Sequence, residues 1–189
     1  MELGNTLGPM FEGLASDGTT VLKELGLSRD AAILDVGTGS GNFAIFLALQ
    51  GHQVLTGEPS SDTTHYAGKD WAANARAVGV LDKIRFQAFD ASDMPFDERT
   101  FDTVFFFGVL HHVDEDARAD VMREALRVTK RGGAVVLFEP NQKTLEKIWV
   151  DDPTHPLPAT PSDYLAQEGV REQRIPGVMM DIFIYQKAA

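Results

Sequence analysis

The chain has 189 residues, no cysteine and a formal net charge of −11 at pH 7. The lack of cysteine excludes disulfide bonds, thiolate metal ligands and a cysteine nucleophile, and the acidic balance argues against nucleic acid as a partner, because that role requires a basic patch. The length and the 43% hydrophobic fraction predict a single domain over 1–189. With no apolar run near the roughly 18 residues of a membrane span and no signal-peptide pattern, we expect a cytoplasmic protein.

Hydrophobic periodicity and turn residues predict alternating helices and strands. Up to residue 88 the predicted elements are a helix over 16–26, a strand over 31–36, a helix over Asn42–Gln50, a strand over 53–57, a helix over 69–78 and a strand over Lys83–Ala88. Beyond it they are a strand over Phe101–Phe107, a helix over Glu115–Thr129, a strand over Gly133–Glu139, a proline-containing stretch over 141–162 that is expected to be loop in large part, a short helix over Ser162–Gln167 and strands over Val170–Ile175 and Met180–Gln186. This alternation predicts a parallel sheet with helices on both faces and a ligand site at the carboxyl ends of the strands.

The most informative segment is the glycine-rich turn between the first strand and the helix that follows it. Gly37, Gly39 and Gly41 allow a sharp turn and a close approach of a ligand, and the free N–H groups of the helix point toward that ligand. The spacing is G-x-G-x-G, and Asn42 stands where the nicotinamide-dinucleotide fingerprint has its third glycine. The turn therefore predicts a small-molecule site that is not typical of a dinucleotide.

Two acidic residues narrow the choice of ligand. Asp35 ends the first strand, where a carboxylate repels a pyrophosphate but suits an ammonium group. Glu58 ends the second strand, a position from which an acidic side chain commonly accepts hydrogen bonds from ribose hydroxyls. A ribose and an amino-acid head group together indicate S-adenosylmethionine.

Four blocks of sequence carry a resemblance to a known family. They are Ile33–Gly41 (ILDVGTGSG), Phe89–Phe96 (FDASDMPF), Phe101–Val113 (FDTVFFFGVLHHV) and Glu124–Pro140 (EALRVTKRGGAVVLFEP). In order and spacing they resemble the class I S-adenosylmethionine-dependent methyltransferases of the ubiquinone/menaquinone-biosynthesis-like group. The resemblance implies an α/β fold with a Rossmann-like seven-stranded sheet, mostly parallel with an antiparallel last strand. It also implies S-adenosylmethionine as cofactor and S-adenosylhomocysteine as product.

The resemblance also implies roles for individual residues. Asp35 is expected near the methionine moiety and Glu58 at the ribose. At Phe107 and Gly108, a backbone carbonyl is expected to accept a hydrogen bond from the ammonium group of the methionine moiety. Asp90 and Ala91 are expected at the adenine, through the Asp90 carboxylate and the Ala91 backbone amide. The complete cofactor-binding set is Asp35, Gly37, Thr38, Gly39, Gly41, Glu58, Pro59, Asp90, Ala91, Phe107 and Gly108.

The histidines leave alternatives open. His111 and His112 are expected on an extended stretch, where neighbouring side chains point in opposite directions, so we expect no metal site. One of the two is a candidate general base facing the substrate cleft; the alternative is a packing or loop-bonding histidine. His65 and His155 lie in predicted loops and receive no role.

The region that would cover the site is short. In the linker over 59–71, Tyr66, Asp70 and Trp71 are candidates to line the cofactor or acceptor pocket, although Trp71 also fits a place in the core. Candidate lid residues are Met10, Phe11, Trp149, His155 and Tyr164. A small lid implies either an open site for a large acceptor or a homodimer in which a second subunit completes the site.

The sequence thus predicts a methyltransferase that acts on a small molecule or a lipid-like quinone precursor. Two alternatives remain at this point. The first is methylation of a protein, for which the acidic surface would favour a basic partner. The second is a cofactor-binding module without transfer activity.

Overall fold

The fold is built on one mixed β-sheet. The computed structural model describes residues 3–62, 66–165 and 169–188, and within them the strands are β1 (Ile33–Val36), β2 (Val54–Gly57), β3 (Ile84–Phe86), β4 (Phe101–Phe107), β5 (Thr129–Pro140), β6 (Val170–Pro176) and β7 (Met180–Lys187). Their order in the sheet is β3-β2-β1-β4-β5-β7-β6. The strands from β3 to β5 pair in parallel, whereas β7 is antiparallel to both β5 and β6. The expected seven-stranded sheet with an antiparallel last strand is confirmed.

Helices cover both faces of the sheet. They are α1 (Leu3–Leu7), α2 (Phe11–Leu25), α3 (Asn42–Leu49), α4 (Trp71–Ala77), α5 (Arg118–Val128) and α6 (Gln142–Asp151), with short 3-10 turns over Leu81–Lys83, Leu110–His112, Glu115–Ala117 and Pro161–Tyr164. No helix in the described part of the chain has the length and apolar content needed to cross a membrane.

The central strands are buried on both sides, which explains their continuous apolar sequence. Phe105 of β4 packs into the core that contains α2 and α3, whereas Val104 and Phe106 pack into the second core with α5. Side chains alternate between the two faces of a strand, so burial of both faces favours apolar residues at successive positions. Phe105 and Phe106 are completely buried and form part of the sheet core.

The main error of the sequence analysis is the loop expected over 141–162. Residues Gln142–Asp151 form α6, and the side chain of Asn141 caps it by accepting a hydrogen bond from the Thr144 N–H (3.0 Å). The prolines of this segment begin at Pro153, beyond the helix, so they shape only its second half. An N-cap asparagine was the local signal for this helix.

Other boundaries are also corrected. The first of the predicted helices begins at Phe11 rather than at residue 16, and its start has no side-chain cap that the sequence could reveal. Thr129, expected at the end of a helix, begins β5. The short helix expected over Ser162–Gln167 is a 3-10 turn over Pro161–Tyr164, and residues 166–168 lie outside the described part of the chain.

A buried carboxylate in α2 joins this helix to the turn between β6 and β7. Asp17 is 1% exposed. It accepts hydrogen bonds from the backbone N–H groups of Val178 (2.6 Å), Met179 (2.9 Å) and Met180 (2.9 Å). Asp17 therefore fixes the last hairpin of the sheet against the N-terminal helix, although the two are far apart in sequence.

Replacement of Asp17 by alanine is expected to lower the free energy of unfolding by about 3 kcal/mol, because three buried or half-buried N–H groups lose their acceptor. Chemical denaturation monitored by circular dichroism measures this loss. The control is Glu12→Ala, an exposed acidic position on the same helix, for which a change below about 0.5 kcal/mol is expected. Equal losses in the two variants would contradict the role of Asp17.

Candidate functional site

The carboxyl ends of the parallel strands open into a cavity of about 540 Å³. The cavity brings together most of the residues that the sequence analysis selected. Those that line it are Gly37, Thr38, Gly39, Glu58, Pro59, Asp90, Ala91, Phe107, Gly108 and His112. Asp35, Gly41 and His111 belong to the same region but do not line the cavity.

Several lining residues were not predicted. Leu14 comes from α2, Met179 from the turn before β7, Phe89 from the loop after β3 and Val121 from α5. Of the candidate lid residues, only Met10 lines the cavity. These positions carry no local motif, because what brings them to the cavity is the packing of distant elements.

The charged groups around the cavity are acidic. Glu58, Asp62, Asp90 and Asp114 line it, and no lysine or arginine is found among the lining residues that the structure describes. A cavity of this kind attracts a cation and repels phosphate groups, which bind where positive charge or free helix N–H groups are available. The charge distribution therefore suits a ligand with positive charge.

The backbone conformation and the packing of the turn require glycine at two positions, Gly37 and Gly41. Gly37 and Gly41 have φ angles of 87° and 80°, which favour glycine. A Cβ atom at Gly37 would lie 2.5 Å from a methyl group of Val109, and one at Gly41 would lie 2.8 Å from the Cβ of Trp71. At these two positions glycine permits close packing of the turn against neighbouring loops, in addition to the approach of a ligand.

Glu58 is bonded to the backbone of two loops. Its carboxylate accepts hydrogen bonds from the N–H of Gly39 (2.7 Å) and of Gly68 (2.8 Å). It therefore connects the glycine-rich turn to the linker after β2. Each carboxylate oxygen retains further acceptor capacity, so these bonds do not prevent Glu58 from accepting ligand hydroxyl groups as well.

Asp35 lies behind the cavity and reaches it through two hydroxyl groups. It is 1% exposed, and its Oδ2 accepts a hydrogen bond from Thr56 Oγ1 (2.8 Å). Thr56 Oγ1 is in turn 3.0 Å from the hydroxyl of Thr38, which lines the cavity. Burial raises the pKa of Asp35 to about 7, the Thr56 bond opposes this shift, and the charge of Glu58 adds to it. The other oxygen, Oδ1, is buried and has no hydrogen-bond partner among the described residues.

Asp90 is exposed at the mouth of the cavity. Its Oδ1 accepts hydrogen bonds from the N–H and the hydroxyl of Ser92 (2.8 and 2.7 Å), and these bonds lower the pKa of the carboxyl group. Both bonds stabilise the local turn after Asp90. Because both bonds use Oδ1, the Oδ2 atom remains available to an external donor.

The three linker candidates have different places. Tyr66 lines the cavity, and its hydroxyl donates to Asp152 Oδ2 (2.7 Å). Asp70 is the N-cap of α4 and accepts from the Ala73 N–H (2.9 Å). Trp71 does not line the cavity; it is partly buried and packs against the core, in agreement with the alternative interpretation.

The backbone at His111 and His112 differs from the expectation. The two residues end a 3-10 turn, Leu110–His112, rather than an extended stretch, so their rings lie on the same side with centroids 4.2 Å apart. A third imidazole, that of His155, lies 5.0 Å from each of them. The premise that the two side chains point in opposite directions, on which the expected absence of a metal site rested, is therefore wrong.

Two of the three imidazoles, those of His112 and His155, have a pKa below the ordinary value for histidine. Burial, together with the neighbouring His111 and His155, lowers the pKa of His112 to about 4. Burial and the proximity of His111 also lower the pKa of His155. Because a base with so low a pKa binds a proton weakly, the environment of His112 does not favour strong general-base behaviour.

The sheet order, the glycine-rich turn after β1 and the carboxylate after β2 define the class of Rossmann-like α/β domains that bind a nucleoside-containing cofactor. A family model described as a methyltransferase domain matches residues 34–137. The chain therefore belongs to the methyltransferase domain family, whose cofactor is S-adenosylmethionine, and the resemblance found in the sequence is confirmed.

Relatives with known names are similar to part of the chain. A ubiquinone/menaquinone biosynthesis C-methyltransferase of Idiomarina loihiensis is 30% identical over 132 residues, which are 66% of this chain and 49% of that protein. A 27-O-demethylrifamycin SV methyltransferase of Amycolatopsis mediterranei is 33% identical over 105 residues, which are 56% of this chain and 37% of that protein. The chain thus spans half of the length of these relatives or less.

A solved structure supports the fold over the whole chain. It is a candidate S-adenosyl-L-methionine-dependent methyltransferase from Methanococcus maripaludis, with a TM-score of 0.75, 16% identity and coverage of 100% of this chain and 90% of that one. At this identity the similarity shows the common architecture.

The raised pKa of Asp35 has a measurable effect on stability. The folded state, with a pKa of about 7, holds the proton more tightly than the unfolded state, whose reference value is 3.8. The contribution of Asp35 is therefore most favourable below about pH 4 and is lost as the pH rises through 7. In chemical denaturation from pH 5 to pH 8, the stability of the wild type is expected to fall by about 2 kcal/mol relative to Asp35→Asn.

The variant Thr56→Val tests the cause of this effect. It removes the hydroxyl that lowers the Asp35 pKa, so the fall in stability should extend to higher pH than in the wild type. Parallel stability curves for the wild type and Asp35→Asn would show that Asp35 does not titrate in this range.

Proposed function

We propose that the chain is an S-adenosylmethionine-dependent methyltransferase that transfers a methyl group to a small-molecule or lipid-like acceptor and releases S-adenosylhomocysteine. The observation that carries the proposal is the acidic cavity beside the glycine-rich turn, without lysine or arginine among its described lining residues. A sulfonium and an ammonium group are the cations that such a cavity accommodates. The names of the two relatives, which refer to a quinone and to a rifamycin, support a small-molecule acceptor.

The lining residues fit the parts of the cofactor in the proposed arrangement. The turn over 37–41 holds the methionine moiety, with Phe107 and Gly108 opposite it, and Glu58 with Pro59 receives the ribose. Asp90 and Ala91 receive the adenine, for which Asp90 Oδ2 is the free acceptor. All of these residues except Gly41 line the cavity.

Asp35 contributes to the binding of the cationic end of the cofactor without touching it. When Asp35 is ionised, Thr56 donates to it and can accept from Thr38 at the cavity wall. The unpartnered Oδ1 atom supports a role for the residue beyond the fold, because a buried acceptor without a partner costs free energy. Asp35 is thus a positioning residue.

Bound S-adenosylmethionine supplies a methyl group that is already activated for displacement. The residues of the chain have to bind both partners, align the acceptor atom with the methyl group and exclude water. Met10, Leu14 and Met179 provide an apolar wall suited to an apolar acceptor. If the acceptor must lose a proton, His112 is the candidate base, since it lines the cavity whereas His111 is bonded to Glu139 (2.6 Å).

Three further expectations from the sequence remain predictions. They are a cytoplasmic location, the lack of nucleic-acid partners and, as one way to close the site, a homodimer. Light scattering of the purified chain with and without cofactor tests the last of these.

Calorimetry tests the proposed cofactor site. The wild type is expected to bind S-adenosylmethionine and S-adenosylhomocysteine but not NAD. The variant Glu58→Ala should bind at least about tenfold more weakly, a loss of about 1.4 kcal/mol, because both the ribose acceptor and the bond to Gly39 are removed. Glu98→Gln, an exposed acid that does not line the cavity, should bind like the wild type.

Binding of NAD alone would overturn the proposal. Binding of the cofactor without methyl transfer to any of a panel of quinones, sterols and phenols would favour a non-catalytic module. Transfer to basic peptides alone would favour the protein-methylating alternative.

A further inference from the structure

The three imidazoles that meet beside the cavity come from two separate parts of the chain. His111 and His112 end the 3-10 turn after β4, and His155 follows α6. One ring nitrogen from each of the three residues can be chosen so that all three atoms lie within 4.8 Å of one another. Three imidazole nitrogens in such an arrangement are the donor set typical of zinc, copper, iron or nickel rather than of magnesium or calcium.

The surroundings of two of the rings leave the same nitrogen free. His111 Nδ1 lies 2.6 Å from Glu139 Oε2, and His155 Nδ1 lies 2.9 Å from the carbonyl oxygen of Pro156. Both partners are acceptors, so in the neutral rings Nδ1 carries the hydrogen and Nε2 carries the lone pair. A carboxylate or a carbonyl behind the ring is the arrangement that accompanies histidine ligands of metals.

Glu139 is a buried carboxylate whose acceptor capacity is only partly used. It is 1% exposed, its Oε2 also accepts from the Ala159 N–H (3.0 Å), and its Oε1 has no partner among the described residues. A negative charge in this position is stabilised by a nearby cation. Glu139 therefore both orients His111 and favours positive charge on the far side of the ring.

His155 is also held in place by several bonds. The Trp149 indole donates to the carbonyl oxygen of His155 (2.9 Å), and the His155 N–H donates to the carbonyl oxygen of Asp152 (3.1 Å). The ring of Tyr66 packs against His155 and against His112, at 5.7 and 4.8 Å between centroids. These contacts hold the His155 imidazole in a defined orientation beside the other two rings.

We propose that His111, His112 and His155 form a binding site for one divalent transition-metal ion of the zinc class, with Glu139 as the group that orients His111. In a tetrahedral zinc site the ligand nitrogens are about 3.3 Å apart, given Zn–N distances of about 2.0–2.1 Å. In this structure the three ring nitrogens lie within 4.8 Å of one another. To reach the tetrahedral spacing, each pair must approach by at most about 1.5 Å, which small rotations of the side chains provide.

The position of the site suggests what the ion would contact. His112 lines the cavity, so an ion bound to it lies at the cavity wall. Three protein ligands leave a fourth position for an exchangeable group, as in catalytic zinc sites. An oxygen, nitrogen or sulfur atom of an acceptor is the class of group that this position would take, and in that case His112 acts as a ligand and not as a base.

The test is metal binding by the full chain without S-adenosylmethionine, so its result does not depend on the proposed transfer activity. After removal of any affinity tag and of bound metal, the protein is titrated with Zn²⁺ and, separately, with Co²⁺. We expect one ion per chain by elemental analysis after gel filtration, and cobalt absorption bands typical of a tetrahedral site. Mg²⁺ should not compete.

Matched variants identify the ligands. His112→Gln and His155→Gln should each bind Zn²⁺ at least tenfold more weakly and lose the cobalt bands, whereas His52→Gln, a histidine outside the cluster, should retain both. Glu139→Gln keeps a hydrogen-bond acceptor for His111 and should weaken binding by about 10- to 100-fold. Circular dichroism identifies any variant that fails to fold.

Two results would overturn the proposal. One is substoichiometric or absent binding of Zn²⁺ by the folded wild type. The other is equal affinity in the wild type, His112→Gln and His155→Gln, which would show that the three rings only pack against one another.

Discussion

The cavity depends on the pairing of β1 with β2 on one side and with β4 on the other. The register places Val36, the last residue of β1, beside Gly57 of β2 and Phe106 of β4. Since the three strands are parallel, the loops that follow them open at the same edge of the sheet. The glycine-rich turn, the carboxylate of Glu58 and the end of β4 thus share one cavity, and the helices on both faces hold this edge in place.

Acidic groups are concentrated at the same edge of the sheet, and the burial of one of them lowers the stability of the fold when it is ionised. Asp35 is buried with its pKa raised to about 7, first by burial and also by the charge of Glu58. Such a group is less stable ionised than it would be in water, and a cationic ligand relieves this cost. At this position, the same buried carboxylate therefore lowers the stability of the protein without ligand and favours the binding of a cation, as is common at functional sites.

The histidine cluster shows how local backbone geometry changes the meaning of a motif. In an extended strand, His111 and His112 would face opposite ways; the 3-10 turn over Leu110–His112 brings their rings to one side. His155 joins them from the segment after α6, a helix that was not predicted. Glu139, at the end of β5, lies behind His111, a relation that spacing in the sequence does not reveal.

The sequence by itself determined the fold class, the order of the strands along the chain and the glycine and acidic positions that line the cavity after β1 and β2, because these depend on local patterns. Apolar runs mark the buried strands, Gly37 and Gly41 mark the turn, and Glu58 marks a strand end. Tertiary structure alone decided that Asp35 bonds to Thr56, whose hydroxyl lies beside that of Thr38, that Asp17 joins α2 to the last hairpin, and that His155 meets His111. These relations join residues that are distant in sequence, and only the packing of the elements brings such residues within hydrogen-bonding or ring-contact distance.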